Sequence, residues 1–206
     1  MKEKSRVKKY LIVGLGNPGK EYEKTRHNFG FEALNRFIFW FNGSTNADFP
    51  VEFHNEAKFF ACFCMVNSGD KKIFLIKPQT FMNLSGRSVK RTIDYYKINL
   101  ENLIVVHDDL DLSFGKIRFS KNSSSAGHKG VKSIIEFLGS QNFVRLRLGI
   151  KDGDSNKNIK KPAEKFVLEN FSSGKNKIKN EIFKQTTKAL NFFLEKGFEE
   201  AANTFN

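Results

Sequence analysis

This sequence predicts an α/β fold in a single domain, on three observations. Short apolar runs bounded by turn residues alternate with longer stretches of helical period. Polar, chemistry-bearing residues gather where the apolar runs stop, which is where α/β sheets usually place their sites. The 206 residues, 39% hydrophobic and 14% aromatic, suit one sizeable core and about one domain. That domain is expected to span residues 1–206, with a flexible basic start over 1–9 and a mobile loop over 151–161.

Residues 10–13 are apolar, β-branched or aromatic, and stop at a glycine-rich turn, so they read as a buried strand. Phe31, Leu34, Ile38 and Phe41 recur at helical spacing and predict a helix whose aromatic stripe packs on the sheet. Residues 59–66 and 73–76 read as paired strands, 85–96 as a helix, and 103–106 as a buried central strand ending at His107 and Asp108. Residues 116–119 and 143–150 are expected as edge strands. Between them fall a serine-rich loop, 121–125, and a helix beginning near Gly130. Residues 151–161 are polar and lysine-rich without period, the pattern of a mobile surface loop. Ile178, Ile182, Ala189 and Phe193 mark a closing amphipathic helix.

The formal charge of +13 gives the surface a positive potential that attracts polyanions and makes nucleic acid the leading partner class. A basic protein without such a partner is the plainer alternative, and the motifs must decide. Cys62 and Cys64, two apart, would share one face of a strand, with no second pair for a cross-link or a zinc site. They are expected to be buried thiols in a reducing cytoplasm. The lysine-rich start leads into a short apolar stretch without a small-residue cleavage site, so no signal peptide is expected. No stretch approaches the roughly 18–20 apolar residues that cross a bilayer. A soluble, cytoplasmic protein with no membrane partner is the expectation.

The first strand runs into Gly14-Leu15-Gly16-Asn17-Pro18-Gly19, which fits the glycine spacing of a dinucleotide site. That reading needs an acidic residue on a second strand about 20 residues later. Phe39 and Trp40 stand there instead, still in helical period, and Pro18 restricts the loop. Asn17 offers an amide donor and a carbonyl acceptor, suited to reading a peptide or ester group. The alternative is a turn asparagine satisfying its own backbone.

His27 lies in the polar stretch Thr25-Arg26-His27-Asn28, and histidine is the default side chain for taking a proton from water. Asp108 at the end of the central strand is its natural orienting partner, since a carboxylate on one ring nitrogen leaves the other as base. The run His107-Asp108-Asp109-Leu110-Asp111 invites a metal reading. Calcium-loop spacing fails there: counting from Asp109 the glycine falls at position seven, and Ser120 takes the place of the bidentate glutamate. No metal is expected. A solvated turn or a salt bridge is the simpler role for Asp109 and Asp111. A serine nucleophile lacks its Gly-x-Ser-x-Gly elbow, and capping a helix is a sufficient role for Ser85.

Together with Lys77-Pro78-Gln79-Thr80-Phe81-Met82-Asn83-Leu84-Ser85-Gly86, Gly127-His128, Arg145-Leu146-Arg147-Leu148-Gly149-Ile150 and Phe166-Val167-Leu168-Glu169-Asn170-Phe171, these segments resemble the bacterial-type peptidyl-tRNA hydrolase family in order and spacing, from Tyr10 almost to the end. The resemblance implies a monomer with a twisted, mostly parallel mixed β-sheet flanked by helices, of phosphorylase/hydrolase-like type, and no cofactor. It also implies hydrolysis of the ester joining peptide to tRNA, with the tRNA acceptor arm as partner. The family's catalytic histidine falls on His27 and its supporting aspartate on Asp108. Asn17 and Asn83 match the asparagines that hold the peptide and the reacting carbonyl. Tyr22, Phe81 and Met82 match cleft residues, where an aromatic ring supports the terminal nucleotide or the peptide. A non-catalytic RNA-binding member of the family is the alternative.

One departure matters. The resemblance implies that His128 and the residue after it bind substrate; the family usually has asparagine after that histidine, whereas Lys129 follows His128 here. An ammonium donates but cannot accept, so Lys129 is expected to favour electrostatic substrate binding over water positioning. For the tRNA phosphates, Lys116, Arg118, Lys121, Arg145 and Arg147 are the candidates, Arg147 with the alternative of pairing inward to a carboxylate.

Overall fold

A computed structural model describes residues 7–44, 51–151 and 162–206. The basic start is thus described only from Val7, and the expected loop over 151–161 lies, apart from Lys151, outside the described residues. Strand β1 (Lys8–Gly14) is followed by α1 (Phe29–Ser44), β2 (His54–Glu56), β3 (Ala61–Ser68), β4 (Lys71–Pro78) and α2 (Ser85–Tyr96). Then come β5 (Leu103–Ser113), β6 (Ile117–Lys121), α3 (Lys129–Leu138), β7 (Val144–Lys151), α4 (Ala163–Val167), α5 (Asn176–Lys196) and α6 (Phe198–Phe205).

The strands order as β2-β3-β4-β1-β5-β7-β6. The central four, β4, β1, β5 and β7, are parallel; β3 and β6 run antiparallel to them on either side, and β2 pairs antiparallel with β3 at the edge. The sheet is therefore mixed with a parallel centre. Helices α1, α5 and α6 bury Phe37, Leu34, Leu190 and Phe193 against Ile12, Ile104, Val106 and Leu146 on one face. On the other, Val89 of α2 and Val131 and Ile134 of α3 meet Leu11, Val13, Phe74 and Val105. Each fully buried Phe or Leu is worth about 1.5–3 kcal/mol, so both faces hold the sheet rigidly under the site. Among the described residues no helix is long and apolar enough to cross a membrane.

Three expectations about the strands need correction. Residues 143–150 do not form an edge strand: β7 lies between β5 and β6, with Val144, Leu146, Leu148 and Ile150 fully buried. The central strand does not end at Asp108 but continues to Ser113, because pairing with β7 (Asp108 to Leu148, Asp109 to Gly149) needs backbone groups and not apolar side chains. The strand expected from residue 59 starts at Ala61, since Phe60 adopts left-handed dihedrals, φ 51 and ψ 45, after a one-turn 3₁₀ helix. Cys64 is a core thiol, and burial pushes it up to about 12; Cys62 is only half-buried.

A glycine pair lets α1 approach the sheet. A Cβ on Gly14 would collide with the carbonyl oxygen of Gly30, and a Cβ on Gly30 would collide with that of Val106. Backbone thus rests on backbone, closed by Leu15 N–H to the Val106 carbonyl (2.9 Å) and Phe31 N–H to the Leu15 carbonyl (3.2 Å). The chain just before α1 is thereby set against the C-terminal half of β5.

Candidate active site

Asp108 is presented by β5 and is 2% exposed. His27 reaches it from the one-turn 3₁₀ helix Arg26–Asn28 that the glycine pair places overhead. Its Nδ1 lies 3.0 Å from both Asp108 carboxylate oxygens. A carboxylate only accepts, so Nδ1 carries the proton and Nε2 is left as an acceptor. The ring borders a cleft of about 600 Å³.

His128 joins the same carboxylate. Its Nδ1 accepts from the backbone N–H groups of Gly130 (3.1 Å) and Val131 (3.3 Å), which caps α3. Backbone N–H groups can only donate, so Nδ1 is unprotonated and Nε2–H must donate to Asp108 Oδ1, at 3.0 Å. Burial alone would raise the Asp108 pKa. His27 and His128, by the electrostatic pull and hydrogen bonds of the N–H groups they aim at it, instead hold it well below the usual carboxylate range. A third ring, His107, stacks edge-on to His128 with centroids 4.7 Å apart. Its Nδ1–H donates to the Asp108 backbone carbonyl at 2.7 Å, and its Nε2 is buried without a partner among the described residues. Burial, then the neighbouring His128, pushes its pKa down to about 3, so it stays neutral.

Asn17 is fixed from two sides. Asn28 accepts from the Asn17 N–H (2.8 Å) and donates to its carbonyl (2.9 Å), while the Asn17 side-chain carbonyl accepts the Met82 N–H at 2.8 Å. The turn-asparagine alternative is thereby excluded, since Asn17 ties two segments 65 residues apart. With its carbonyl engaged by Met82, the amide N–H is the group Asn17 turns to the cleft. Met82 is buried, whereas Asn83 and Phe81 are exposed on the rim. Across from them, Lys129 Nζ meets Glu164 Oε1 of α4 at 2.7 Å, both exposed.

Of the residues singled out in the sequence, Asn17, His27, Phe81, Met82, Asn83, Asp108, His128 and Lys129 all line this cleft. Tyr22 does not: it sits half-buried in the one-turn helix Lys20–Tyr22, outside the lining of either cavity. His128 was expected to bind substrate, but both its nitrogens are committed within the protein. Arg118 and Lys121 lie on β6, outside the cleft lining. Arg145 is buried and bonded to Ser123 and Ser124, so it cannot reach a phosphate. Arg147 takes its inward alternative, with Nε 2.6 Å from Asp109 Oδ2. That bond and the Asp111 N–H occupy Asp109 and fulfil the salt-bridge role. Sequence reasoning missed Asn28, whose signal was only its place beside His27, and the positions of His107 and Glu164.

Donor atoms of His27, Asp108 and His128 lie within 4.8 Å of one another, as a metal would require. The chemistry does not fit. The cap on α3 keeps His128 Nε2 protonated, so it has no lone pair to give. A larger cavity, about 760 Å³ on the other side of Asn17, is lined by Lys77, Lys179, Glu32 and Asn35 among others and holds no imidazole.

The model of a family described as peptidyl-tRNA hydrolase matches residues 11–206. A peptidyl-tRNA hydrolase of Shouchella clausii is 41% identical over 196 residues, covering 95% of this chain and 99% of the relative. One from Bacillus cytotoxicus is 43% identical over 196 residues, covering 95% and 98%. The crystal structure of peptidyl-tRNA hydrolase from Acinetobacter baumannii aligns with a TM-score of 0.82 at 30% identity, over 96% of this chain and 94% of that one. Arabidopsis thaliana 5′-methylthioadenosine nucleosidase, at 9% identity and a TM-score of 0.50, shares the fold alone.

Proposed function

Because the chain belongs to the peptidyl-tRNA hydrolase family, we propose that it hydrolyses the ester of peptidyl-tRNA to release free tRNA and peptide. The observation that carries this reading is the Asp108-bound His27, whose Nε2 remains an acceptor at the edge of the cleft.

In this mechanism His27 Nε2 takes a proton from water, and the resulting hydroxide attacks the ester carbonyl. Asp108 orients the ring and stabilises the imidazolium that forms. The Asn83 amide donates to the developing oxyanion, and the Asn17 amide holds a peptide carbonyl. Collapse breaks the bond to the ribose oxygen, which leaves with the proton returned by His27. A positioned base contributes about 10²–10⁴-fold and one oxyanion donor about 10²–10³-fold. Phe81 and Met82 form the floor and rim for the terminal nucleotide or peptide, Lys129 meets a substrate anion in exchange for Glu164, and Arg118 and Lys121 reach phosphates outside the cleft. The protein acts as a cytoplasmic monomer without cofactor, within one domain.

Incubation with a peptidyl-tRNA, following free tRNA, tests this reading. Release by wild type and its loss in His27→Ala are expected. Binding of tRNA without release by wild type would instead indicate a non-catalytic RNA-binding member.

A further inference from the structure

Beyond the cleft, a ridge that begins at Leu84 and continues along α2 carries features that the catalytic reading leaves unused. Leu84, Arg87, Arg91 and Tyr95 follow at spacings of three, four and four, which puts them along one helical face. All four are exposed, Leu84 to 44% and Tyr95 to 61%. At a rise of 1.5 Å per residue the ridge runs about 16 Å. It starts beside Asn83 and Phe81, which line the cleft, and leads away from it.

The cations of this ridge are held in place. The Arg87 and Arg91 guanidinium carbons lie 4.1 and 4.6 Å from the centroid of the Phe60 ring. Arg91 also donates to the Lys58 carbonyl (3.2 Å), and the Lys58 ammonium lies 4.6 Å from the Tyr95 ring. Phe60 takes up this position in the left-handed region, unusual for an aromatic residue, fixed by bonds from Phe60 N–H to the Ala57 carbonyl and from Gln79 N–H to the Phe60 carbonyl. No carboxylate pairs with Arg87 or Arg91 among the described residues. The nearby acids are taken, Asp94 by Lys90 at 2.7 Å and Glu56 by Lys58 at 3.6 Å.

We propose that this ridge is a second RNA-contact face, which holds the acceptor arm of the tRNA while its 3′ end occupies the cleft; the identity of the RNA rests on the hydrolase reading above. A guanidinium stacked on a ring keeps its N–H edges for phosphate and has little left to lose in ordering. Exposed Leu84 and Tyr95 at either end offer apolar contact to nucleotides, which suits a polynucleotide better than an isolated anion. The chain's net charge of +13 favours such a partner over a basic one. Two other candidate phosphate contacts, Arg145 and Arg147, are already occupied inside the protein.

The test compares wild type with Arg87→Gln/Arg91→Gln on full-length peptidyl-tRNA and on a peptide esterified to the CCA trinucleotide. With the long substrate KM should rise about tenfold, the loss of one or two charge-assisted hydrogen bonds, while kcat holds. The slope of log affinity for deacylated tRNA against log salt should flatten by about 1.4–1.8, two phosphates at 0.7–0.9 each. The trinucleotide substrate should be turned over as by wild type. Arg87→Lys/Arg91→Lys, which keeps the charge, should retain the salt slope and guards against a folding defect. An unchanged KM and slope on the long substrate, or an equal loss on the short one, would overturn the proposal. If wild type released no tRNA, the hydrolase reading would fall, and the salt slope of tRNA binding would still decide for or against the ridge.

Discussion

At the inner wall of the cleft the polar side-chain atoms of Asp108, His128 and Asn28 all have protein partners, at 2.8–3.3 Å. At the rim, Asn83 and Phe81 stand exposed, and Lys129 holds Glu164 in a solvated ion pair. A buried charge-assisted bond contributes about 1.5–3 kcal/mol net, whereas an exposed pair is screened by water and contributes little. The wall is thus built before substrate arrives, and the rim is free to exchange its partners for those the substrate brings. Substitutions in the wall should act on kcat and stability, and those at the rim on KM.

The largest effect expected is that of Asp108→Asn, which turns an amide nitrogen toward an N–H of one of its two histidines. A fall in kcat of about 10²–10⁴-fold at little changed KM is expected in steady-state assays; a change confined to KM would break the division between wall and rim. Asn83→Ala crosses that division, since a rim residue in the oxyanion role should lower kcat by about 10²–10³-fold. A loss limited to KM would return Asn83 to simple peptide binding.

Smaller effects follow in stability. Asn28→Ala leaves the buried Asn17 N–H and carbonyl without partners and should cost about 1–3 kcal/mol in urea unfolding. Acid should also weaken the wall. His107 has a folded pKa of about 3, far below the roughly 6.5 of an unfolded histidine, so below pH 6.5 the unfolded chain takes up a proton that the fold refuses. Asp108, also depressed when folded, contributes stability above its unfolded value near 3.9 that is lost as pH falls toward its folded pKa. Both act in one direction, His107 below about pH 6.5 and Asp108 only below about 3.9, so unfolding midpoints should fall from pH 7 to 4 through His107, and less steeply in His107→Asn. Identical pH dependence in that variant would remove His107 from the account. The smallest effect is expected of Lys129→Asn: stability within about 0.5 kcal/mol, and a several-fold rise in KM with a flatter salt dependence. An unchanged KM with unchanged salt dependence would show that Lys129 meets no substrate anion.

Where side-chain pattern decides structure, the sequence was legible. Helix α2 spans residues 85–96 as its period predicts, and the strand begun at Leu103 and the helix near Gly130 lie where expected. Where backbone pairing decides, it was not. The polar half of β5 and the short β2 carry no apolar signal, and the interior position of β7 depends on which strand lies beyond it. The same holds for the site. His27 and Asp108 could be paired by chemistry, but the cap that fixes the His128 tautomer and the amide that locks Asn17 are spatial facts with no local pattern.

The backbone junction of Gly14, Gly30 and Val106 also sets when the catalytic centre can exist. Base and carboxylate are 81 residues apart and come together only as that junction closes. A chain in synthesis has no working centre until residues past 108 have joined the sheet. On dilution from denaturant, turnover should reappear together with the docking of α1, never in advance of it.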